Sequence, residues 1–589
     1  MRYRPVMLWR LLKMLPLLIR SGAGKHYSAA DLFEQCVRRS PQRVYLRFEG
    51  RAVTYAELDA EANRVAHWAL AQGLRSGDVV ALLMGNRPEY LAVWIGLAKL
   101  GVTTALLNTH LTGKALAHCV AEAASRCVIV GAECADGLAD VLAGMKVHVL
   151  ADGDRDAPAG SDGLREALDA CESTRPDPSL RAEVVAGDAL FYIYTSGTTG
   201  LPKAARFSHS RFVSGGSFHL LAGLGRNDVL YCPLPLYHTV GGVLCVNATL
   251  RTGATLALSR RFSTSRFWDE VHESDATAFQ YIGELCRYLL NQPEHPRERS
   301  HRLRFGLGNG LRPDIWDEFQ RRFAIPRMVE FYGATESNVS LLNLDGRSGS
   351  VGQEIPGTSP RLVRIDLDTE EPVRGADGLC VPCGVDEPGE LLGMVKQGAT
   401  AAGRYEGYTD RAATEKKLLR DVQQRGDCWF RTGDLLRRDA EGYYYFVDRM
   451  GDTFRWKGEN VSTQEVAEAV GSYPGTEMCA VYGVEIAGQE GRAGMAALVL
   501  APGASIDPEA LFAHVEQRLP AYARPAFVRL RTAHDMTGTL KIRKVELQRE
   551  GFDPAVVTEP LLCRDDSAKR YQKLDAELHA QVLAGRVRL

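Results

Sequence analysis

The chain has 589 residues, 45 % hydrophobic and 24 % charged, with a formal net charge of −2. That length exceeds what one hydrophobic core normally serves, so at least two domains are expected of a globular rather than disordered chain. Near-neutral charge, without basic clusters interleaved with aromatics, excludes a general nucleic-acid binder. The thirteen cysteines form no disulfide framework, and Cys380–Cys383 is the one C-x-x-C pair, without a second pair to complete a zinc site. Reduced thiols in a cytoplasmic compartment are the expectation.

At the N-terminus Arg2, Arg4, Arg10, Lys13, Arg20 and Lys25 all precede the first acid, Asp31. The intervening VMLWRLLKMLPLLI is too short to span a bilayer, is interrupted by Arg10, Lys13 and Pro16, and lacks a small-residue cleavage site. At helical spacing Arg10, Lys13 and Arg20 share one side, and Met7, Leu8, Leu11, Leu12, Leu15 and Leu18 occupy most of the remainder. Residues 1–27 therefore read either as an interfacial helix on the inner face of a membrane or as a helix docked on its own domain.

Farther on, TYAELDAEANRVAHWALAQG carries Thr54 and Glu57 at capping-box spacing and ends on Gly73, which predicts a helix. VVALLM, TTALLN and VIVGA read as short buried strands, and NRPEYLAVWIGLAKLG and TGKALAHCVAEAASRC as helices between them. Such alternation predicts an α/β sheet with helices on its faces. Ala151 to Gly163 reads as a surface connection. Val229 to Leu250 holds no Asp, Glu, Lys or Arg; its length would allow a membrane crossing. Pro233, Pro235, His238 and the Gly241-Gly242 pair argue instead for a loop leading into a buried element that walls a pocket.

YTSGTTGLPKAA packs four hydroxyl side chains, two glycines and a lysine between Thr195 and Ala204. Small donors that turn tightly around one cation suit a polyphosphate. The G-x-x-G-x-x-K spacing of Gly197, Gly200 and Lys203 is not a Walker A loop.

YTSGTTGLPK, FYGATES, RTGD and DRMGDTFRWKGENVSTQEV, in this order, resemble the motifs of the adenylate-forming acyl-CoA synthetase superfamily. YIYTSGTTGLPKAA, FRWKGENVST, LPAYARPAFVRL and TGTLKIRKVELQREGFDP resemble in particular its fatty acid transport protein and very-long-chain acyl-CoA synthetase branch. The resemblance implies an α/β fold in which a large N-terminal adenylate-forming domain of several sheets packed with helices precedes a small mobile α+β C-terminal domain. It places the hinge at Gly451, giving residues 28–450 and 451–589 as the two domains. Glycine can absorb a large φ/ψ change there.

The same resemblance implies site residues. Thr195, Ser196, Gly197, Thr198, Thr199, Gly200 and Lys203 would hold the β- and γ-phosphates. Gly308, Asn309 and Gly310, with Tyr332 and Gly333, would border adenine, Thr335 would meet the α-phosphate, and Glu336 would bind Mg²⁺. Asp434 and Arg449 would hold the ribose. Lys541 would complete adenylation, although the chain has Thr-Leu-Lys where the superfamily usually has Ser-Gly-Lys. Gly458, Glu459 and Asn460 would border the coenzyme A channel after the small domain rotates. His238 would stand near the acyl entrance; a packed core histidine is the alternative.

ATP, Mg²⁺ and coenzyme A are the implied cofactors, and a long-chain fatty acid is the implied substrate. A membrane surface and a second copy of the chain are further candidate partners. The leading expectation is an ATP-dependent long-chain or very-long-chain fatty acyl-CoA synthetase that passes through an acyl-adenylate and supports uptake by trapping. Its alternatives are a bile-acid or other bulky-carboxylate CoA ligase, and a fatty acid transport protein whose transport role is separate from catalysis. An activating domain of the nonribosomal-peptide type fits less well, because too few residues follow Gly551 for a carrier domain.

Overall fold

The computed structural model describes the chain except residues 1–3, 137, 153–161, 196–200, 356–357, 367–368, 397–402, 458, 487–488, 490, 535, 537–541, 543 and 588–589. Each predicted element of the first sheet is present. The helix Tyr55–Ala71 starts on a reciprocal cap between Thr54 and Glu57, and Gly73 follows it at φ +77°, a conformation glycine adopts without a Cβ penalty. Val79–Leu83, Thr103–Leu106 and Cys127–Gly131 are strands, joined through the helices Pro88–Ala98 and Gly113–Glu122. They pair in parallel inside a seven-stranded sheet, as crossover connections require. Of the expected connection Ala151 to Gly163, residues 153–161 lie outside the described residues, while Asp162–Gly163 joins the sheet edge beside Val147–Leu150.

A nine-stranded sheet stands next to it. Its centre runs in parallel through Thr255–Leu258, Val229–Cys232, Ala278–Ile282, Phe305–Asn309 and Met328–Tyr332. The strand ends Ile282, Asn309 and Tyr332 therefore point the same way, and the loops that follow them gather at one edge, where open α/β sheets hold their ligands. A large core joins the two sheets, from Met14 to Leu344. A third sheet, which includes Cys428–Arg438 and Tyr444–Arg449, covers that edge.

A separate core gathers residues from Phe454 to Val582 around a five-stranded sheet. The two cores meet along a seam. Arg312 lies 3.7 Å from the Glu468 carboxylate, Tyr288 Oη donates to Met478 Sδ at 3.3 Å, and Asn291 Nδ2 donates to the Glu477 carbonyl at 3.4 Å. Burial in this seam pushes the Glu468 carboxyl upward, although Arg312 opposes it.

Val229 to Leu250 is a strand, a loop, the π-helix Thr239–Cys245 and the helix Val246–Thr252. Among the described residues no helix is long and apolar enough to cross a membrane. The double glycine is sterically required: a Cβ on Gly242 would stand 1.9 Å from the Leu236 carbonyl oxygen, and one on Gly241 2.4 Å from that of Pro235.

The N-terminal helix Arg4–Arg20 docks on its own domain along one face. Met14 is buried, and Leu11, Leu17 and Leu18 pack against the large core. Trp9, Leu12, Leu15 and Ile19 face outward, 49–60 % exposed. Arg10 departs from the expected polar side, because its guanidinium turns inward to donate to the Leu221 carbonyl at 2.5 Å.

Candidate active site

The strands Ala189–Thr195 and Lys203–Ser208 form an antiparallel pair in which Thr195 and Lys203 face each other. The glycine- and hydroxyl-rich turn is thus pinned at its base, with Lys203 half-buried there. Ser196, Gly197, Thr198, Thr199 and Gly200 lie outside the described residues.

Tyr332 ends the strand Met328–Tyr332, and the loop after it carries Gly333, Thr335 and Glu336. Thr335 is buried, and its hydroxyl shares a 2.8 Å hydrogen bond with that of Thr239 at the start of the π-helix. Single turns of π-helix are frequent at functional sites. The preceding His238 accepts from the Val240 N–H at 3.4 Å and so caps that helix. Glu336 accepts from Tyr408 Oη at 3.1 Å.

The third sheet delivers Asp434 and Arg449 as register partners on adjacent strands. Asp434 is buried and Arg449 half-exposed, with 3.4 Å between Oδ1 and Nε. Tyr332 Oη donates to the other Asp434 oxygen, Oδ2, at 2.5 Å. Burial raises the Tyr332 phenol well above its ordinary value, with the Asp434 charge adding to the effect, so it remains a donor.

Gly308 and Asn309 close the strand Phe305–Asn309, and Gly310 turns away at φ +79°. Among the described residues the buried Asn309 Oδ1 has no hydrogen-bond partner, an acceptor that suits the amino group of a purine. Behind this turn stands Glu330, which no sequence motif singles out. Its carboxyl accepts from the Leu311 N–H at 3.1 Å and from Tyr281 Oη at 2.5 Å. Complete burial pushes it up to about 8, against the opposing pull of these donors. A pattern of Glu two residues before Tyr-Gly gives no sign of burial, because a glutamate is ordinarily solvated. Thr239 and Tyr408 carry no sequence signal either: their partners are remote along the chain.

Lys541 lies outside the described residues. The adjacent Ile542 bridges to Met536 and lines the seam with Glu284, Arg287, Arg312, Met478 and Cys479; Arg312 is two positions along the chain from Gly310. Lys544 bonds Asp452 at 3.2 Å and Thr463 Oγ1 at 3.1 Å, and Thr463 in turn bonds Asp448. These contacts brace the turn containing Gly451, whose φ is +85° with open space around its Cα. Gly458 is outside the described residues. Glu459 and Asn460 lie on a two-stranded hairpin paired with Phe454–Trp456, and Glu459 is exposed. Among the described residues, Tyr408 links Glu336 to the strand that begins at Lys203 and Tyr332 meets Asp434, so the candidates come together where three sheets adjoin, while the hairpin belongs to the small core.

Among the described residues no group of three or more His, Cys, Asp or Glu could hold a metal by itself. Glu336 has one carboxylate oxygen engaged by Tyr408. A single hard carboxylate fits a magnesium ion that draws its remaining ligands from phosphate and water.

Residues 33–403 match the family described as AMP-binding enzyme, and residues 465–541 match the AMP-binding enzyme C-terminal domain. Long-chain fatty acid transport protein 1 of Mus musculus is 43 % identical over 582 residues, spanning 96 % of this chain and 90 % of its own. Two solved structures share the fold. The anthranilate CoA ligase AuaEII in complex with anthranoyl-AMP superimposes with a TM-score of 0.75 at 22 % identity, over 89 % of this chain and 97 % of its own. ATP-bound MatB from Rhodopseudomonas palustris gives 0.74 at 25 % identity, over 88 % and 98 %.

Proposed function

The chain belongs to the AMP-binding enzyme family, as an acid–thiol ligase of its long-chain fatty acid transport protein branch, and we propose that the acid it activates is a long- or very-long-chain fatty acid. ATP, Mg²⁺ and coenzyme A are its cofactors. The observation that supports this reading is the meeting of three sheets at Lys203, Glu336 and Asp434, linked by the Ala205–Tyr408 bridge, the Tyr408–Glu336 bond and the Tyr332–Asp434 bond.

Joining a carboxylate to a thiol needs a better leaving group than oxide, so the acid is first converted to an acyl-adenylate with release of pyrophosphate. Bringing the carboxylate to the α-phosphorus puts two anions in contact, which demands donors fixed in advance. Thr195 to Gly200 and Lys203 hold the β- and γ-phosphates. The two oxygens of Asp434, with Arg449 beside it, match the vicinal hydroxyls of ribose. Asn309 and the Gly308–Gly310 turn meet adenine, with Tyr332 and Gly333 on the other side. Magnesium at Glu336 supplies charge neutralisation on the phosphate oxygens. Lys541, with Thr335, meets the attacking carboxylate and the α-phosphate; an ammonium on a flexible stem can reach both.

The position of Ile542 in the seam supports Lys541 as the residue that enters for this step. In the second step the small domain turns about Gly451, Lys541 withdraws, and Gly458, Glu459 and Asn460 replace it beside the thiol. The exposed position of Glu459 supports a hairpin held in reserve.

The acyl chain is read into the apolar stretches Val229 to Leu250 and Ala276 to Leu290, with His238 at the mouth. Each buried methylene contributes about 0.8 kcal/mol, so chain-length preference follows the depth of that slot. The outward face of the N-terminal helix supports contact with a membrane surface, where fatty acids partition. Trp9, Leu12, Leu15 and Ile19 form its apolar stripe, and Arg2, Arg4, Lys13, Arg20 and Lys25 supply basic charge in sequence. Fatty acid uptake by this chain would follow from trapping as the CoA ester.

The test is purified protein given Mg·ATP, coenzyme A and a panel of labelled carboxylates, read for AMP and CoA ester. Long-chain acids are expected to lead. Preference for a bile acid or another bulky carboxylate would assign the alternative substrate, and ATP left intact with every acid would end the reading.

A further inference from the structure

Tyr408 lies outside the sequence motifs of this site, yet its phenol reaches the centre of it. It is buried, and its Oη donates to Glu336 Oε1 at 3.1 Å. The backbone of Tyr408 bridges Ala205, on the strand that Lys203 begins and that pairs with Thr195. One residue therefore pairs by its backbone with the Lys203–Ser208 strand and by its phenol with the carboxylate read as the magnesium ligand.

The backbone that presents Tyr408 is held unusually firmly for a loop. Tyr408 forms a bridge to Ala205, the Arg206 N–H donates to the Gly407 carbonyl at 3.0 Å, and the Thr409 N–H donates to the Ala204 carbonyl at 2.9 Å. Ser208 binds Glu406 through both its N–H and its hydroxyl, at 2.9 and 2.6 Å. Thr414 Oγ1 accepts from the Tyr408 N–H at 2.9 Å. At Gly407 φ is +70°, and a Cβ there would stand 2.6 Å from Thr414, so the turn accepts only glycine. Residues 406–409 thus continue the strand pair that carries the phosphate turn. Any shift of Lys203–Ser208 moves Tyr408 with it.

A buried bond from a neutral hydroxyl to a carboxylate is short-ranged and directional. By occupying one Glu336 oxygen it fixes the carboxylate rotamer and leaves the other oxygen to face a cation. Without it, Glu336 would lose its one hydrogen bond among the described residues, and a metal would have to order the carboxylate on binding.

We propose that Tyr408 is a positioning residue which couples Glu336 to the strand Lys203–Ser208, so that the magnesium-binding oxygen and Lys203 are held in one geometry. The inference rests on the reading of this edge as a Mg·ATP site and adds to it a residue that touches neither nucleotide nor metal.

The test is calorimetric titration of a non-hydrolysable ATP analogue, with and without Mg²⁺, into the parent protein and into Tyr408→Phe, which keeps the ring and its packing. The expected result is a loss of roughly tenfold in affinity with Mg²⁺, the scale of one hydrogen bond to a charged group, and unchanged affinity without it. The KM values for acid and coenzyme A should stay as in the parent. In a Glu336→Gln background the Tyr408→Phe change should add nothing, since the two act through one bond. Equal losses with and without Mg²⁺ would mean a merely structural role and overturn the inference, as would additive losses in the double variant. A parent that shows magnesium-dependent binding beside an unaffected Tyr408→Phe overturns this inference alone. A parent that binds no nucleotide at all overturns the site reading together with it.

Discussion

Tyr332 donates its phenolic hydrogen to the Asp434 carboxylate over 2.5 Å, joining segments 102 residues apart. The first lies at the end of a strand in the nine-stranded sheet; the second lies in the sheet that covers its edge. The bond sets where the free oxygen of Asp434 points, next to Arg449.

Tyr332→Phe should therefore weaken nucleotide use without dismantling the fold. A bond to a charged acceptor corresponds to roughly tenfold or more in affinity, so the KM for ATP is expected to rise by about that factor while kcat changes less. Asp434→Ala, which removes the diol acceptor itself, should cost more in kcat/KM. Steady-state kinetics at saturating acid and coenzyme A decide it; an ATP KM unchanged in Tyr332→Phe would show the bond to be incidental.

Glu330 should give the protein a measurable pH signature. Its carboxyl titrates near about 8 when folded, against an ordinary 4.5, so between those values the native state holds a proton that the unfolded chain has released. Stability from this group is complete below the ordinary value and declines as pH rises toward 8, by about 1.4 kcal/mol per pH unit. Glu330→Gln removes that slope. Urea unfolding between pH 5 and pH 8.5 should show a flatter profile in the variant; parallel profiles would place the titration elsewhere.

Lys541→Ala should abolish adenylation and spare thioester formation from supplied acyl-adenylate. Lys544→Ala should impair the same half-reaction by about tenfold. Lys544, two residues from Ile542 in the seam, braces the hinge through Asp452 and Thr463. Pyrophosphate release reports the first half-reaction and CoA-ester formation the second. Equal loss of both in Lys541→Ala would refute the division of labour.

Leu12→Glu combined with Ile19→Glu should reduce co-sedimentation with anionic phospholipid vesicles by at least about fivefold, because charge replaces apolar surface that would enter the interface. Both side chains face outward, so activity on a dispersed, soluble acid should hold. Undiminished sedimentation would assign membrane contact to another surface.

Much of this architecture is legible in the order of the residues. The strands and helices from Tyr55 to Gly131 follow from the switch between short apolar runs and helical spacing, and the reciprocal cap at Thr54 and Glu57 forms as its spacing requires. Local patterns can be read because their physics is local: a cap, a turn glycine or a helix face involves residues within four positions. The apolar residues of the N-terminal helix show the limit. Spacing marks them as apolar, but only packing separates Leu11, Met14, Leu17 and Leu18, which are inward, from Leu12, Leu15 and Ile19, which are outward. Arg10 likewise faces inward because the Leu221 carbonyl accepts its guanidinium.

By itself the sequence determined the alternation that builds the sheets and the ordered motifs that mark an acid-activating enzyme, since both are set by residue type at short spacing. Tertiary structure alone decided that Glu330 is desolvated, that Tyr408 reaches Glu336, that Thr239 meets Thr335 and that Tyr332 meets Asp434. Each of these pairs a polar group with a partner brought from another strand or loop, and the strength of such a contact depends on burial and angle, which exist only once the chain is folded.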